Sequence, residues 1–211
     1  MILGTSKSGA LTYGITLSQV YKICVCANGS HDLKGFYKNL LEHIALYSDR
    51  KTVFIDDEIG TCKDIIDQFP SCQYINGVSA FEEFMEHMKP ELNARLESPE
   101  NHHERLFVIV SEFNSFFNMI SNEQAAFMRK VFQYVSDPKY HIYFVCGFDV
   151  NGDKNNDRLF MSLVVNAESY VFCPDCYKKA ADKIEALPLV TDVKPYNSYF
   201  CLDGKNVPIR W

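Results

Sequence analysis

Two short segments of the sequence carry residue types that could bind a nucleotide's phosphates or their counter-ion. The first, residues 27–34 (ANGSHDLK), joins the β-prone run at residues 21–27 to an amphipathic helical pattern. In this context a loop of the form GxxxxGK[ST] binds phosphate through backbone N–H groups, a lysine and a hydroxyl. The second, Ser111-Glu112, follows the apolar run Arg105–Val110. A nucleotide hydrolase carries acidic residues there, which hold Mg²⁺ and position the attacking water.

The first segment has the right context but lacks the residues of a phosphate loop. Counted back from the helix, the two glycines, the lysine and the hydroxyl are replaced by Ala27, Asp32, Leu33 and Lys34, with Asn28 and Gly29 inside the loop. A carboxylate at Asp32 would repel the β-phosphate. An earlier segment, residues 4–11 (GTSKSGAL), has both glycines but neither the lysine nor the hydroxyl. We expect it to form a surface turn.

The second segment has also lost part of its motif. Ser111 stands where the metal-binding aspartate belongs, and Glu112 remains alone. Two independent losses predict a nucleotide-hydrolase fold that is not an enzyme and holds no cofactor. The alternative is a weak ATPase that binds ATP and Mg²⁺ through Lys34, displaced by one position, and Glu112. A lysine in the first turn of a helix is more commonly solvated.

Aromatic residues crowd the segment that follows Glu112. Phe113, Phe116 and Phe117 lie next to the loops where an α/β sheet binds its ligands. Core packing would account for most of these rings. If several were exposed together, they would form an apolar surface for a partner's helix.

The cysteines do not predict a metal site. Cys173 and Cys176 have the CxxC spacing of a redox pair or of half a zinc site. A structural zinc needs four ligands, and the other close pair, Cys24 and Cys26, is separated by one strand residue and is typical of a core. We therefore interpret the 8 cysteines as reduced thiols.

Apolar periodicity predicts strands and helices in alternation along the chain. The predicted strands are residues 21–27, 52–55, 105–110, 141–146 and 170–172. The predicted helices are residues 33–47, 80–96 and 157–165, a segment that begins at a Ser121/Gln124 capping box, and residues 177–187. Asp203-Gly204 predicts a final hairpin of residues 199–202 and 205–209. This order predicts an α/β fold with a mainly parallel sheet, flanking helices and a C-terminal antiparallel hairpin.

Composition limits the classes of function. The chain of 211 residues has a formal charge of −6, which argues against nucleic-acid binding through phosphate neutralisation. With 47% hydrophobic and 23% charged residues it can bury a substantial core, and no linker divides it, so we expect a single domain, residues 1–211. No apolar run approaches the roughly 18 residues of a membrane helix, and the start lacks a signal peptide.

The order and spacing of four segments resemble the FtsK/SpoIIIE-like ATPase domains, and most closely the third ATPase-like domain of the EssC/EccC proteins of type VII secretion. The segments are ILGTSKSGALTYGI, YKICVCANGSHDLKGFYKNLL at the phosphate-loop position, RLFVIVSEFNSFF at the acidic-strand position and HIYFVCGFDVNG at the next strand. The closing YNSYFCLDGKNVPIRW is similar to that family's final hairpin.

The resemblance implies a RecA-like P-loop NTPase fold and a fragment of a larger membrane-anchored protein, on the cytoplasmic side of the membrane and without its own membrane contact. It implies that secreted proteins, such as WXG100-like substrates or effectors, and the other ATPase domains of the parent chain are the partners. The departures at Ala27, Asp32, Leu33 and Ser111 put ATP turnover in doubt. The module would recognise substrates, regulate the active ATPase domains, or do both.

Overall fold

A computed structural model describes residues 2–5, 12–14, 21–101, 103–135, 137–151, 169–173, 175–181, 198–202 and 205–209. Its strands are β1 (Ile2–Thr5), β2 (Thr12–Gly14), β3 (Lys22–Ala27), β4 (Arg50–Asp56), β5 (Cys72–Asn76), β6 (Arg105–Val110), β7 (Ile142–Asp149), β8 (Ser169–Phe172), β9 (Ser198–Leu202) and β10 (Lys205–Ile209). Its α-helices are α1 (Ser30–Ile44), α2 (Lys63–Ile66), α3 (Val78–Glu97), α4 (Phe113–Met119), α5 (Asn122–Val135) and α6 (Tyr177–Ala181).

Eight strands form the main sheet in the order β10-β9-β8-β3-β7-β6-β4-β5. The six strands from β8 to β5 are mutually parallel, whereas β9 and β10 add an antiparallel hairpin at one edge. β1 and β2 form a separate antiparallel pair. The α/β class, the mainly parallel sheet and the C-terminal hairpin predicted from the sequence are confirmed.

The central strands are the most reliable part of the sequence prediction. Every side chain of β3 is buried, and β6 and β7 are buried apart from a terminal residue each. Parallel strands covered on both faces read as continuous apolar runs, which is why these strands were visible in the sequence. β5 was missed because only Ile75 in it is buried, so no apolar run marks this edge strand.

Several helix predictions differ from the structure. α1 begins at Ser30, three residues before the predicted start, because its N-cap is Gly29. α4 is a separate short helix that periodicity did not identify. The predicted helix at residues 157–165 and residues 182–187 of the predicted last helix lie outside the described residues.

α1 is fixed against the end of β6 by one buried tyrosine. The Tyr37 hydroxyl donates a hydrogen bond to the Ser111 carbonyl oxygen (2.7 Å) and lies 3.0 Å from that of Val110. Burial raises the pKa of Tyr37 well above its usual value, so the hydroxyl keeps its proton and remains a donor. Gly147 in β7 makes this approach possible, because a Cβ there would collide with the Ser111 carbonyl oxygen and the Tyr37 hydroxyl.

α3 is held to the sheet by a partly buried ionic network centred on Glu91. Arg95 is only 2% exposed, and it donates to the Glu91 carboxylate (2.9 Å) and to the Tyr140 carbonyl oxygen (3.1 Å). Lys51 of β4 donates to the other Glu91 oxygen at 2.6 Å. Burial raises the pKa of Glu91, but the hydrogen bonds from Lys51 and Arg95 outweigh it and the pKa is lowered. Glu91 is therefore the counter-ion that makes burial of Arg95 tolerable.

Replacing Gly147 with alanine should destabilise the fold by about 2 kcal/mol, because the added methyl group must displace Tyr37 or the end of β6. Urea unfolding of Gly147→Ala measures the loss. Gly35→Ala is the matched control, since nothing lies near a Cβ at that helical position and alanine favours the helix. An equal change in the free energy of unfolding for the two variants would contradict the steric role of Gly147.

Replacing Glu91 with glutamine should cost about 3 kcal/mol at neutral pH, because Arg95 would be left buried without a counter-charge. A lowered folded pKa gives stability that is present above the unfolded value of about 4.3 and is lost as the pH falls through the folded value. The stability gap between the two proteins should therefore shrink in acid. Urea unfolding against pH measures it, with exposed Glu97→Gln as the control, and a gap independent of pH would contradict the ionic role.

Candidate functional site

A cleft lies at the carboxyl-terminal edge of the parallel sheet, where the fold brings the ends of β4, β6 and β7 together with the start of α1. Its volume is about 360 Å³. The residues that line it are Leu33, Asp57, Thr61, Cys62, Ser111, Glu112, Asn114, Ser115, Asn118 and Asp149. Ligands of open α/β sheets bind at this edge, so this is the candidate functional site.

The loop between β3 and α1 is much shorter than a phosphate loop. It consists of Asn28 and Gly29 alone, because β3 ends at Ala27 and α1 begins at Ser30. The consensus GxxxxGK[ST] requires a loop of roughly six residues whose N–H groups surround the phosphates. Gly29 has φ 113° and ψ 169°, an angle pair that other residues rarely adopt, and it turns the chain directly into the helix.

The residues predicted to replace the loop's lysine and hydroxyl lie on the helix and face different surroundings. Leu33 is buried and forms part of the cleft wall. Lys34 makes an ion pair with Asp64 of α2 at 2.8 Å, and the hydrogen bond to Asp64 raises the pKa of Lys34. Asp32 is in the first turn of α1, and its side chain lies outside the described part of the structure. Lys34 therefore connects α1 to α2 and is not among the residues that line the cleft.

Glu112 lies in the cleft as the N-cap of α4. Its carboxylate accepts hydrogen bonds from the backbone N–H groups of Ser115 (2.7 Å) and Asn114 (3.2 Å), and the N–H of Asp149 lies 3.4 Å away. Ser111 is buried, with its backbone bonded to Ile55 and Tyr37. Glu112 thus connects the start of α4 to the end of β7.

Two consecutive carboxylates at the end of β4 order the next wall of the cleft. Asp56 is buried and accepts from the Cys62 N–H (2.7 Å) and the Tyr74 hydroxyl (3.0 Å). Asp57 accepts from the N–H groups of Gly60 (2.8 Å) and Thr61 (2.9 Å). Burial, and then the nearby Asp56 charge, raise the pKa of the Cys62 thiol, so it stays protonated and is a poor nucleophile.

The cleft residues that the structure describes carry charge of one sign. Asp57, Glu112 and Asp149 line it, and no lysine or arginine is among the lining residues in the described part of the chain. A triphosphate placed here would meet three carboxylates in a partly desolvated site, and like charges disfavour its binding. The sequence identified Glu112 as a candidate site residue but not Asp57 or Asp149. The sequence marks those two only as acidic residues at the ends of strands.

Asn28, the first residue of the connection between β3 and α1, is joined to α6 by side-chain hydrogen bonds. Lys179 donates to the Asn28 side-chain oxygen (2.9 Å) and to that of Asn151 (2.8 Å), and Asn151 donates to Asn28 at 2.7 Å. Just before α6, the Cys176 thiol lies 2.9 Å from the carbonyl oxygens of Cys26 and Cys173. The CxxC segment is thus tied to the end of β3. No group of three or more metal-binding side chains is found in the described ranges.

The aromatic cluster after Glu112 is part of the core. Phe113 is 0% exposed and Phe116 is 2% exposed, and Phe117 is partly buried against them with ring centroids 4.4 Å and 5.4 Å away. Phe116 also packs edge-on against Phe81 of α3 at 5.1 Å. The expectation that most of these rings pack in the core is confirmed, and the alternative of a partner surface formed by exposed rings does not apply, because α4 turns them towards α3 and the sheet.

The described helices include none long and apolar enough to span a bilayer. No family model matches the sequence, and no curated protein matches it. Solved structures match over nearly its whole length.

Three of these structures illustrate the likeness. EssC (ATPases 2 and 3) from Geobacillus thermodenitrificans has a TM-score of 0.72 and 13% identity, and the match covers 99% of this chain and 40% of that one. EccC (ATPases 2 and 3) from Thermomonospora curvata, solved in complex with a signal sequence peptide, has a TM-score of 0.74 and 11% identity over 100% of this chain and 40% of that one. The pCW3 conjugation coupling protein TcpA, solved with ATPγS, has a TM-score of 0.63 and 15% identity over 99% of this chain and 64% of that one.

The chain spans about two fifths of the length of the EssC and EccC chains it matches. At these identities the likeness concerns the fold. The sequence-based resemblance to the EssC/EccC ATPase domains is confirmed at that level, and the chain has their P-loop NTPase fold.

Proposed function

We propose that this chain is a non-hydrolysing, ATPase-like module of a type VII secretion coupling protein, which binds secreted proteins or regulates the active ATPase domains beside it. The observation that carries the proposal is the two-residue connection between β3 and α1 within a chain that has the P-loop NTPase fold. A loop of this length lacks the N–H groups that would surround a triphosphate.

The polar residues around the cleft support the same proposal. Lys34 is paired with Asp64 and Glu112 caps α4, so the two groups on which a weak ATPase would depend are engaged in holding the fold. The carboxylates of Asp57 and Asp149 add negative charge to the cleft, which disfavours a bound triphosphate. A fold that has lost its catalytic groups can still present surfaces to partners.

The EssC and EccC matches suggest the setting of such a module. In those proteins a homologous unit would be one ATPase domain among several, and the EccC structure holds a signal sequence peptide. By analogy, this chain would be part of a membrane-anchored protein, lie on the cytoplasmic side, and have secreted proteins and neighbouring ATPase domains as partners. The negative formal charge of −6 agrees with a protein partner better than with nucleic acid.

Calorimetric titration with ATP and Mg²⁺ should give no binding heat, and a thermal-shift scan at high nucleotide should leave the melting temperature unchanged. A ligand that binds the native state must raise its stability, so a flat response in both measurements supports the proposal. Clear Mg²⁺-dependent binding would contradict it and favour the weak ATPase.

Lys34→Ala and Lys38→Ala form a matched pair for the same titration, since both remove one positive charge from neighbouring turns of α1. If Lys34 reached a phosphate, only its replacement would abolish a nucleotide response. We expect the two variants to be indistinguishable from each other and from the unaltered chain in nucleotide binding.

Replacing Glu112 with alanine should lower stability by about 1 kcal/mol, because two N–H groups at the start of α4 lose their acceptor. Glu112→Gln keeps a carbonyl oxygen at this position and should lose less. Urea unfolding ranks the variants. A Glu112→Ala protein of unchanged stability that had lost measurable ATP turnover would instead identify Glu112 as a catalytic base.

A further inference from the structure

Helices α3 and α5 line a groove with a volume of about 580 Å³. Among the residues that the structure describes, none lines both this groove and the carboxyl-edge cleft. α3 is held in place by the buried pair of Arg95 and Glu91, and the capping box of Ser121 and Gln124 orders the start of α5. The groove is therefore bounded by two helices that are held in place, so its shape is set by the packing of α3 and α5.

The floor of the groove is apolar. Met85 of α3 and Phe127 of α5 line it. Met85 is 3% exposed, and Phe127 is partly buried and packs against the core. A thioether and an aromatic ring at the bottom of a groove form a suitable contact for one apolar side chain of a partner.

The rim of the groove is acidic on both sides. Glu82, Glu83 and Glu86 of α3 and Glu123 of α5 line it, together with one cation, Lys89. All four carboxylates belong to exposed residues, so they need no rearrangement to meet a ligand.

Lys89, the one cationic side chain among the described residues that line the groove, is already paired. Lys89 pairs with Glu86, and this pair, together with the charge of Glu123 further away, raises the pKa of Lys89. Carboxylates from two different helices thus surround one cation. Glu82 and Glu86 are also one turn apart on α3, where like charges repel each other, so the rim carries negative charge that a cationic ligand would relieve.

We propose that the α3–α5 groove binds a basic amphipathic segment of a protein partner, with an apolar side chain on the Met85 and Phe127 floor and lysine or arginine side chains at the glutamate rim. The charge of the rim favours this occupant, because an acidic segment would bring further negative charge among the four carboxylates. A purely apolar segment would add no cation to a rim at which the described lining residues supply Lys89 alone. An amphipathic helix that lays its apolar side into a groove between two helices is a common mode of peptide recognition. The proposal stands whether or not the cleft binds nucleotide.

Fluorescence anisotropy with the full chain tests the groove. The probe is a labelled synthetic amphipathic helix built from leucine and lysine, and the comparison peptide has glutamate in place of every lysine. The lysine peptide should bind and the glutamate peptide should not. The triple variant Glu82→Gln, Glu86→Gln, Glu123→Gln should weaken binding of the lysine peptide roughly tenfold, as expected for three rim charge pairs.

The matched control is a triple variant with the same change in net charge elsewhere on the surface, Glu42→Gln, Glu97→Gln, Glu100→Gln. It should weaken binding by less than about twofold, because these exposed carboxylates do not line the groove. Circular dichroism and urea unfolding confirm that both variants remain folded. Equal weakening by the two triple variants would show non-specific attraction to an acidic protein, and failure of the unaltered chain to bind the lysine peptide would also overturn the proposal.

Discussion

The backbone pairing of β3 determines where the functional features of this molecule lie. β3 is hydrogen-bonded in parallel to β7 on one side and to β8 on the other, with Cys24 aligned with both Cys146 and Tyr170. Because all its side chains are buried, the strand cannot shift its register without moving apolar groups into solvent. Parallel pairing then places the ends of β3, β4, β6 and β7 at one edge, and the cleft forms there.

At that edge, side chains of types that could take part in catalysis form hydrogen bonds that hold the fold together. Glu112 caps α4, Asp57 orders the loop before α2, and the Tyr37 hydroxyl binds the last carbonyl groups of the β6 end. Each contact supplies a hydrogen-bond partner to a backbone donor or acceptor at this edge of the sheet. At the position of the phosphate loop the chain turns directly into α1 at Gly29, so the architecture of a P-loop NTPase is retained with a two-residue connection there.

The proposed protein-binding role is consistent with how charge is distributed between the cleft and the groove. The cleft carries three carboxylates that are bonded to nearby backbone, and the groove carries four that extend into solvent. Carboxylates that cap backbone are costly to redirect, whereas exposed ones can pair with a ligand at little conformational cost. The α3–α5 groove is therefore better suited to recognise a charged partner than the cleft is.

The sequence alone determined the α/β class, the central strands and the loss of the nucleotide motifs, because buried parallel strands are continuous apolar runs and motif losses are visible residue by residue. It placed β6 at its observed bounds, and it identified Glu112 as the surviving carboxylate. Only the tertiary structure decided that α1 begins at Ser30, that Phe113 faces the core and that Lys34 pairs with Asp64. These depend on contacts between residues distant in the chain, whose orientation local periodicity does not encode.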